Sequence, residues 1–329
     1  MIDKYEREIN YLRVSVTDRC NLRCKYCMPP EGIPLLEHAN VLSYEEMIRI
    51  VTVATTMGIK KVRVTGGEPL IRSQITDFLA ELNAIPALED ISLTTNGILL
   101  YEKAPALKDA GIKRINVSLD SLDAGKYADI TRGGDLNRVL RGIERAAELG
   151  FSPIKINIVA IHGFNDDEIT DFAELTRDYP YQIRFIEFMP MGDSAVDENF
   201  AYLSNDTIRE TIKAELPLKP AHLTRRKTDG PADIYRIDGA RGTIGFISAF
   251  SHHFCATCNR LRVTADGHLR PCLFSDYEID LRVPLRNGCS DDELARLMRT
   301  AIERKPVGIT GSFEAHRKKC AKNMVSIGG

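Results

Sequence analysis

Short runs of β-branched residues alternate with amphipathic helical patterns along much of this chain, and this alternation restricts the possible folds most. Six segments are predicted as strands, at residues 11–16, 62–65, 91–95, 114–119, 154–159 and 182–188. Helical patterns follow at 45–57, 74–83, 136–149, 167–177 and 207–214, the first of them lying between a capping Ser43 and Gly58. Repeated strand–helix units predict a parallel β/α architecture. Six strands are two short of a closed eight-fold barrel, so we expect an incomplete (β/α)6-type TIM barrel, with a doubly wound sheet as the alternative.

The pattern changes after about residue 216, where Pro, Gly, Arg and Lys become frequent and helical periodicity stops until Asp291. Segments 234–237 and 243–247 have the alternation of a β-hairpin. We therefore predict two parts, a partial barrel over residues 1–215 and a smaller C-terminal region over 216–329 that covers the open side of the barrel.

Six of the eight cysteines form two separate triplets. The first triplet is Cys20, Cys24 and Cys27, and the second is Cys255, Cys258 and Cys272. Three thiolates are one fewer than a closed tetrahedral site requires, so a metal centre on each triplet keeps one open position for a small molecule. Eight cysteines in 329 residues are too few for a disulfide scaffold, which favours a reducing, cytoplasmic location. Cys289 and Cys320, outside both triplets, are predicted to be ordinary structural thiols.

The charge balance argues against two classes of partner. Lys and Arg number 44 against 46 Asp and Glu, giving a formal net charge of -2, which offers no support for nucleic-acid or membrane-surface binding. The N-terminal residues lack the apolar segment of a signal peptide. No segment approaches the roughly 18 consecutive apolar residues of a membrane span.

The first triplet directly follows the first predicted strand, in a loop where barrel folds place their active sites. Its spacing, Cys-x3-Cys-x2-Cys with Tyr26 before the last cysteine, resembles the signature of the radical S-adenosylmethionine (SAM) superfamily. The resemblance implies that Cys20, Cys24 and Cys27 hold a 4Fe-4S cluster whose fourth iron binds SAM. A zinc site is the alternative, and His38 is a distant candidate for its fourth ligand.

The same resemblance implies a SAM pocket at the ends of several strands. Gly66 and Gly67 follow the second strand, where paired glycines let the backbone approach a ligand, and they resemble the loop that holds the SAM amino group. Ser118 and Asp120 end the fourth strand, and Met189 follows the sixth. The implied SAM-binding residues are Tyr26, Gly67, Ser118 and Met189.

The second triplet permits two interpretations. Its spacing is that of half a zinc ribbon, for which His252, His253 or His268 could supply a fourth ligand. The other interpretation is a second 4Fe-4S cluster with its own open iron. The residues alone leave both interpretations open.

Cations occupy several strand positions that face the barrel interior, which is normally apolar. Arg260 and Arg262 alternate along one strand and therefore point to one face. Further cations on the predicted strands are Arg13, Arg63, Lys155 and Arg184. Together they suggest a polyanionic ligand such as a nucleoside triphosphate. The alternative is that some of them face outward or pair with acids such as Glu187.

Taken together, these features resemble the GTP 3',8-cyclase family of molybdenum-cofactor biosynthesis, over essentially the whole chain. The motifs that carry the resemblance lie at residues 13–20, 63–69, 94–97, 116–120, 185–190, 255–262 and 327–329. The resemblance implies a radical SAM lyase that converts GTP to a cyclic dihydroguanosine triphosphate. A SAM-derived adenosyl radical takes hydrogen from the ribose 3' carbon, which then attacks carbon 8 of guanine.

The family resemblance also implies roles for individual residues and for partners. A second 4Fe-4S cluster, on Cys255, Cys258 and Cys272, anchors the guanine, and the Gly-Gly tail reaches toward the active site. The implied GTP-binding residues are Arg13, Arg63, Thr94, Lys155, Arg260 and Arg262, of which Arg260 and Arg262 are also catalytic. The implied partners are an electron donor protein and the next enzyme of the pathway, cyclic pyranopterin monophosphate synthase, and we expect a monomer or homodimer.

Two other functions remain possible from the residues. A peptide-modifying radical SAM maturase would need a groove in place of a cationic pocket, and such enzymes usually carry more C-terminal cysteines. A zinc-binding interaction module on a barrel scaffold would be colourless, whereas an iron–sulfur protein is brown.

Overall fold

The computed structural model describes residues 1–192, 200–221, 230–308 and 322–328. Thirteen strands are found among these residues: β1 (Tyr11–Ser15), β2 (Lys61–Thr65), β3 (Asp90–Thr95), β4 (Ile115–Ser118), β5 (Ile154–His162), β6 (Gln182–Glu187), β7 (Ala201–Tyr202), β8 (Leu218–Pro220), β9 (Asp233–Ile237), β10 (Thr243–Ile247), β11 (Arg260–Val263), β12 (His268–Arg270) and β13 (Ile279–Asp280). The α-helices in the same described ranges are α1 (Tyr44–Thr56), α2 (Ile75–Asn83), α3 (Leu100–Asp109), α4 (Ala124–Thr131), α5 (Leu136–Glu148), α6 (Ile169–Asp178), α7 (Asn205–Glu215), α8 (Arg282–Arg286) and α9 (Asp291–Glu303).

The six predicted strands are β1 to β6, and they lie side by side in chain order, each parallel to the next. A doubly wound sheet would reverse its strand order at a switch point. The sequential order therefore confirms the partial TIM barrel, which is not closed. All parallel strand ends meet at one edge, where loops can bring distant residues together.

Strands from the C-terminal region continue this sheet at both margins. β11 pairs in parallel with β1 at one margin, and β10 pairs in parallel with β6 at the other. The predicted hairpin is confirmed, because β9 and β10 pair antiparallel. The predicted boundary between residues 215 and 216 falls between α7 and β8 and stays a prediction.

Local sequence explains where the helices begin. Ser43 accepts a hydrogen bond from the backbone of Glu46, and the Glu46 carboxylate accepts one from the backbone of Ser43, so α1 has a complete capping box. The predicted cap is therefore confirmed. Apolar faces of the helices pack on the outside of the sheet in a single large core. Of the described helices, none has the length and apolar character needed to span a bilayer.

The two faces of the barrel strands differ in burial. On β5, Ile154, Ile156 and Ile158 are buried beneath the helices, whereas Lys155, Asn157 and their neighbours on the inner face are half-buried. Side chains alternate between faces along a strand, so this pattern places a polar, partly open space inside the barrel.

Candidate functional site

All six cysteines of the two triplets line one cavity inside the barrel, with a volume of about 290 Å³. The two triplets are more than 200 positions apart in the chain, between Cys27 and Cys255. β1 and β11 pair in parallel, with the first triplet after the C-terminal end of β1 and Cys258 before the N-terminal end of β11, so the two triplets approach the cavity from opposite ends of these strands. A single compartment is the arrangement that chemistry between two bound ligands requires.

All but one of the predicted site residues line this cavity: Cys20, Cys24, Cys27, Tyr26, Gly67, Ser118, Met189, Arg13, Arg63, Thr94, Arg260, Arg262, Cys255, Cys258 and Cys272. The exception is Lys155, which lies on the same face of β5 as the cavity-lining Asn157 but one layer deeper in the sheet. Their roles as cluster, SAM and GTP contacts remain predictions.

The loop that carries the first triplet is held on one side by α4. The backbone amides of Arg23 and Lys25 donate to the carbonyls of Thr131 and Ile130 at 3.1 and 2.9 Å. Arg132, just beyond α4, donates from one guanidinium nitrogen to the carbonyls of Arg23 and Met28 at 2.7 and 2.9 Å. The thiols therefore project from a loop whose backbone is fixed by hydrogen bonds.

On its other side the loop packs against Gly66 and Gly67. The amide of Gly67 donates to the carbonyl of Thr17 at 2.7 Å, and a Cβ at Gly67 would overlap the carbonyl of Arg19. A glycine is needed there because the two backbones are in direct contact. The predicted ligand loop thus also positions the chain that leads into Cys20.

Two buried carboxylates lie beside the first triplet. The Tyr26 hydroxyl donates to Asp120 at 2.7 Å, and burial raises the pKa of this aspartate to about 6. Glu68 accepts from the Thr95 hydroxyl and from the amides of Leu70 and Asn96 at 2.7 to 2.9 Å. Burial nevertheless raises the pKa of Glu68 to about 7.

The second triplet is organised by a hairpin. Cys258 lies two residues before β11 and Cys272 two residues after β12, and these strands pair antiparallel, so both cysteines fall at the same end. Cys255 begins a short 3-10 turn that ends directly before Cys258. Burial alone would raise the pKa of the Cys258 thiol, but the nearby cations Arg260 and Lys305 lower it to about 6. By contrast, burial raises the pKa of Cys27 in the first triplet to about 12.

Three arginines form a row across adjacent strands. Arg13 on β1 is directly paired in register with Arg262 on β11 and with Arg63 on β2. Like charges opposite one another destabilise a sheet. Burial, together with the neighbouring Arg260, lowers the pKa of Arg262 to about 10. A row of this kind indicates an anionic ligand in the cavity.

A second layer of cations lies deeper, and sequence reasoning missed part of it. Lys61 is 2% exposed and pairs with Asp90 at 3.2 Å, while Arg114 also pairs with Asp90. Burial lowers the pKa of Lys155 to about 5, with Arg184 and Arg114 adding to the effect. Lys61 is the first residue of β2 and Arg114 directly precedes β4, so neither interrupts an apolar run in the sequence. Their side chains come together because of the order of the strands in the sheet.

The Glu187 carboxylate is bound by backbone amides. It accepts from the amides of Asn205, Phe250 and Ser251 at 2.7 to 3.1 Å. Both Glu187 oxygens are thus used to hold the loop after β10, which argues against the alternative that Glu187 pairs with the barrel cations.

Three buried polar atoms on the cavity wall have no hydrogen-bond partner within the described parts of the chain: Tyr11 Oη, Thr94 Oγ1 and Asn157 Oδ1. Buried polar groups are nearly always hydrogen-bonded. Their position therefore fits a cavity that is completed by a polar ligand. Tyr11 was not predicted, because a tyrosine in a strand is usually core, yet it is paired in register with Arg260 and Lys61.

The C-terminal tail enters the barrel, as the resemblance implied. The Gly328 carbonyl accepts from Arg13 Nη2 at 3.1 Å and from the Thr65 hydroxyl at 2.9 Å. Lys322 anchors the start of this segment through Glu278 at 2.7 Å. Gly329 and Cys320 lie outside the described residues.

The donor sets fit clusters better than single metal ions. Among the described residues, no three side chains of Cys, His, Asp and Glu come together as they would around one ion. The candidate fourth ligands are engaged elsewhere, because His252 pairs with Asp206 and His268 with Asp266. His253 contacts the carbonyl of Ala249, and His38 is exposed. Each triplet offers three cysteine thiols to the cavity, which is the donor set of a 4Fe-4S cluster with one open iron.

Comparisons with known proteins agree with this site. Residues 14–176 match the family model described as the radical SAM superfamily, and residues 181–310 match the model described as Molybdenum Cofactor Synthesis C. Among solved structures, Streptococcus suis SuiB bound to S-adenosylmethionine has a TM-score of 0.60 at 13% identity, covering 95% of this chain and 68% of that chain. The AdoMet-bound structure of anSMEcpe has a TM-score of 0.58 at 16% identity, covering 90% and 81%. These likenesses show the fold, and the radical SAM family model together with the curated relatives defines the class as a radical SAM enzyme.

Curated relatives narrow the class to one family. The GTP 3',8-cyclase of Petrotoga mobilis is 47% identical over all of both chains, and that of Syntrophomonas wolfei is 49% identical over all of both. The Moorella thermoacetica enzyme is 50% identical over 93% of this chain and 94% of its own. The chain belongs to the GTP 3',8-cyclase family. Membership in the radical SAM superfamily implies SAM and a 4Fe-4S cluster as cofactors.

Proposed function

We propose that this chain converts GTP to (8S)-3',8-cyclo-7,8-dihydroguanosine 5'-triphosphate, the first step of molybdenum-cofactor biosynthesis. The observation that carries this function is that both triplets and the arginine row line the same cavity. The relatives that share about half of its residues are GTP 3',8-cyclases.

The first triplet holds a 4Fe-4S cluster, and Tyr26, Gly67, Ser118 and Met189 line the SAM site. When bound, the cluster and SAM supply one-electron cleavage and a radical that abstracts hydrogen. The chain itself fixes the thiol loop through Arg132 and through the Gly67 contact. Tyr26 lies between Cys24 and Cys27 in the sequence, and its hydrogen bond to Asp120 orients the phenol ring.

The second triplet holds a second 4Fe-4S cluster that anchors the guanine. Arg260 and Arg262 follow Cys258 on β11 and line the same cavity, so they stabilise negative charge that develops on the base. Fixing the purine beside the SAM site brings the two reacting carbons together, which is the main requirement of an intramolecular cyclisation.

The remaining cations bind the triphosphate. Arg13 and Arg63 form the upper layer with Thr94 nearby, and Lys155 belongs to the deeper layer. Their mutual repulsion in the free protein is relieved when a polyanion enters. Because a bound polyanion favours the protonated form of these side chains, we expect protons to be taken up when it binds.

We expect GTP binding at pH 7.5 to be accompanied by a net uptake of protons, to which Lys155 contributes most and Lys61, whose pKa burial lowers to about 7, contributes less. Lys155, whose pKa of about 5 makes it neutral in the free protein, gains a proton when the triphosphate raises its pKa. Binding must then weaken as the pH rises above 5. Calorimetry without reductant, in buffers of different ionisation enthalpy, measures the uptake. The slope of the observed binding enthalpy against the ionisation enthalpy of the buffer gives the number of protons taken up.

Lys155→Met should reduce that slope, whereas Lys219→Met should leave it unchanged, since Lys219 is exposed and paired with Asp238. Equal slopes for wild type and Lys155→Met would show that Lys155 keeps its charge without the ligand or does not meet it.

Anaerobic reconstitution tests the function as a whole. We expect about eight irons per chain, for two 4Fe-4S clusters, and conversion of GTP to the cyclic product with SAM and dithionite. A colourless protein that binds zinc, or an iron protein that cleaves SAM without consuming GTP, would refute the proposal.

Neither competing function is favoured. The likeness to SuiB, which has also been solved with the precursor peptide SuiA, is a likeness of fold at 13% identity. The cationic layers in the cavity fit a triphosphate better than a peptide. A zinc-binding interaction module would not require a radical SAM barrel in which both cysteine triplets line one cavity.

The cellular setting follows from this chemistry. Reduction of the clusters calls for an electron donor protein, and the reactive product calls for hand-over to cyclic pyranopterin monophosphate synthase. We infer a cytoplasmic enzyme that acts as a monomer or homodimer and binds neither nucleic acid nor membrane.

A further inference from the structure

Lys305 is a buried lysine that lies beside the second triplet in the wall of the cavity. It follows α9 and is 2% exposed. Its ammonium donates to the carbonyl of Arg260 at 2.8 Å and to that of Pro271 at 2.6 Å, and it lies 3.5 Å from the Cys258 sulfur. An ammonium has three donors, so all of them are directed at the segments that carry this triplet.

These contacts join the two sides of the hairpin. Arg260 lies two residues after Cys258, and Pro271 directly precedes Cys272. Lys305 therefore fixes the spacing between two cysteines that the pairing of β11 with β12 brings to the same end of the hairpin.

A second buried cation holds the third cysteine. Arg7 is 4% exposed, is bound by Asp3 at 2.7 Å, and donates to the carbonyl of Cys255 at 3.0 Å. The N-terminal segment and the residue that follows α9 thus support the triplet from outside its own hairpin.

The surroundings of Lys305 lack a carboxylate. Its partners among the described residues are two carbonyls and one sulfur, and the acidic groups that act on it are Cys258 and Cys272. A buried ammonium is costly unless a negative charge compensates it. Thiolates bound to a cluster provide that charge.

The first triplet has the opposite environment, with Asp120 and Glu68 buried beside it. Net charge and hydrogen bonds to sulfur set the reduction potential of an iron–sulfur cluster. Carboxylates favour the oxidised state, and a cation that donates to sulfur favours the reduced state.

We propose that Lys305 is a positioning residue of the second triplet, which sets the distance between Cys258 and Cys272 and stabilises the reduced state of the cluster they hold. The inference rests on the proposed function, because it requires a second cluster.

The test uses the full chain with Cys20, Cys24 and Cys27 replaced by alanine, so that the second triplet alone binds iron. In this background we expect Lys305→Met either to lower the cluster midpoint potential by about 59 mV, a tenfold shift for one electron, or to lose the iron in a folded chain. Lys305→Arg keeps the charge and should retain iron and potential. Electron paramagnetic resonance during a redox titration and circular dichroism give the readouts.

Lys60→Met is the matched control, since Lys60 is exposed and paired with Glu89, and it should change nothing. If Lys305→Met does not fold, the comparison passes to Lys305→Gln and Lys305→Arg, of which only the arginine variant should match the potential of the parent. A Lys305→Met or Lys305→Gln protein with about four irons and the parental potential would overturn the role of Lys305. A parent chain with Lys305 that binds no iron would instead refute the second cluster, and with it the proposed function.

Discussion

Replacing Cys258 with alanine should abolish cyclisation of GTP while reductive cleavage of SAM continues. Cys258 belongs to the second triplet, on the hairpin of β11 and β12, whereas the first triplet has its own loop after β1. Losing one thiolate removes the anchor of the purine, and a displacement of the reacting atoms by about 1 Å already costs about 10²-fold in rate. Chromatography of the cyclic product and of 5'-deoxyadenosine in the same reaction separates the two activities.

Cys289→Ala is the matched control for this prediction. Cys289 is also half-buried and reduced, but it packs at the edge of the core and does not line the cavity. We expect wild-type cyclisation from this control. Full cyclase activity in Cys258→Ala would contradict the assignment of the second triplet to the substrate.

Replacing Arg262 with alanine should reduce product formation by about three orders of magnitude, with both clusters present. Arg262 completes the row with Arg13 and Arg63, and the loss corresponds to about 4 kcal/mol of transition-state stabilisation. Burial and Arg260 disfavour the charge of Arg262, while Tyr11, Cys258 and Cys272 favour it, so these opposing effects on folding are checked alongside activity. Iron content, thermal unfolding and single-turnover assays measure these effects together.

Two control variants sharpen this result. Arg241→Ala removes an exposed arginine that donates to the carbonyl of Asp178, and it should leave activity unchanged. Arg262→Lys keeps the charge but loses the planar fork, so it should recover only part of the rate. Unchanged turnover in Arg262→Ala would mean that this arginine has only a structural role.

The barrel could be predicted because its signals are local. Each of the first six strands is a short β-branched run, and the helix after Ser43 has a capping box within four residues. The prediction named no helix between residues 95 and 114 or between 119 and 136, where α3 and α4 lie. α3 contains Pro105, and α4 has only eight residues and begins with Ala124 and Gly125, so both lack a strong periodic signal.

The cysteines were predictable for the same reason, since each triplet is closely spaced in the chain. The supporting residues were not. Arg7 lies 248 positions from Cys255 and Lys305 lies 47 positions from Cys258, and nothing near either residue in sequence signals a metal site. Lys155 shows what strand alternation does not predict. The alternation tells which face of β5 carries the Lys155 side chain, but not how deep in the barrel that side chain lies.

The sheet is completed at both margins by strands made late in synthesis, β10 beside β6 and β11 beside β1. Until β10 and β11 are made, β1 and β6 are the edge strands of the sheet, and the amide and carbonyl groups on their outer sides are unpaired. Such edges readily pair with strands of other chains. The nascent chain therefore depends on its C-terminal third, or on a chaperone, to prevent association with other copies.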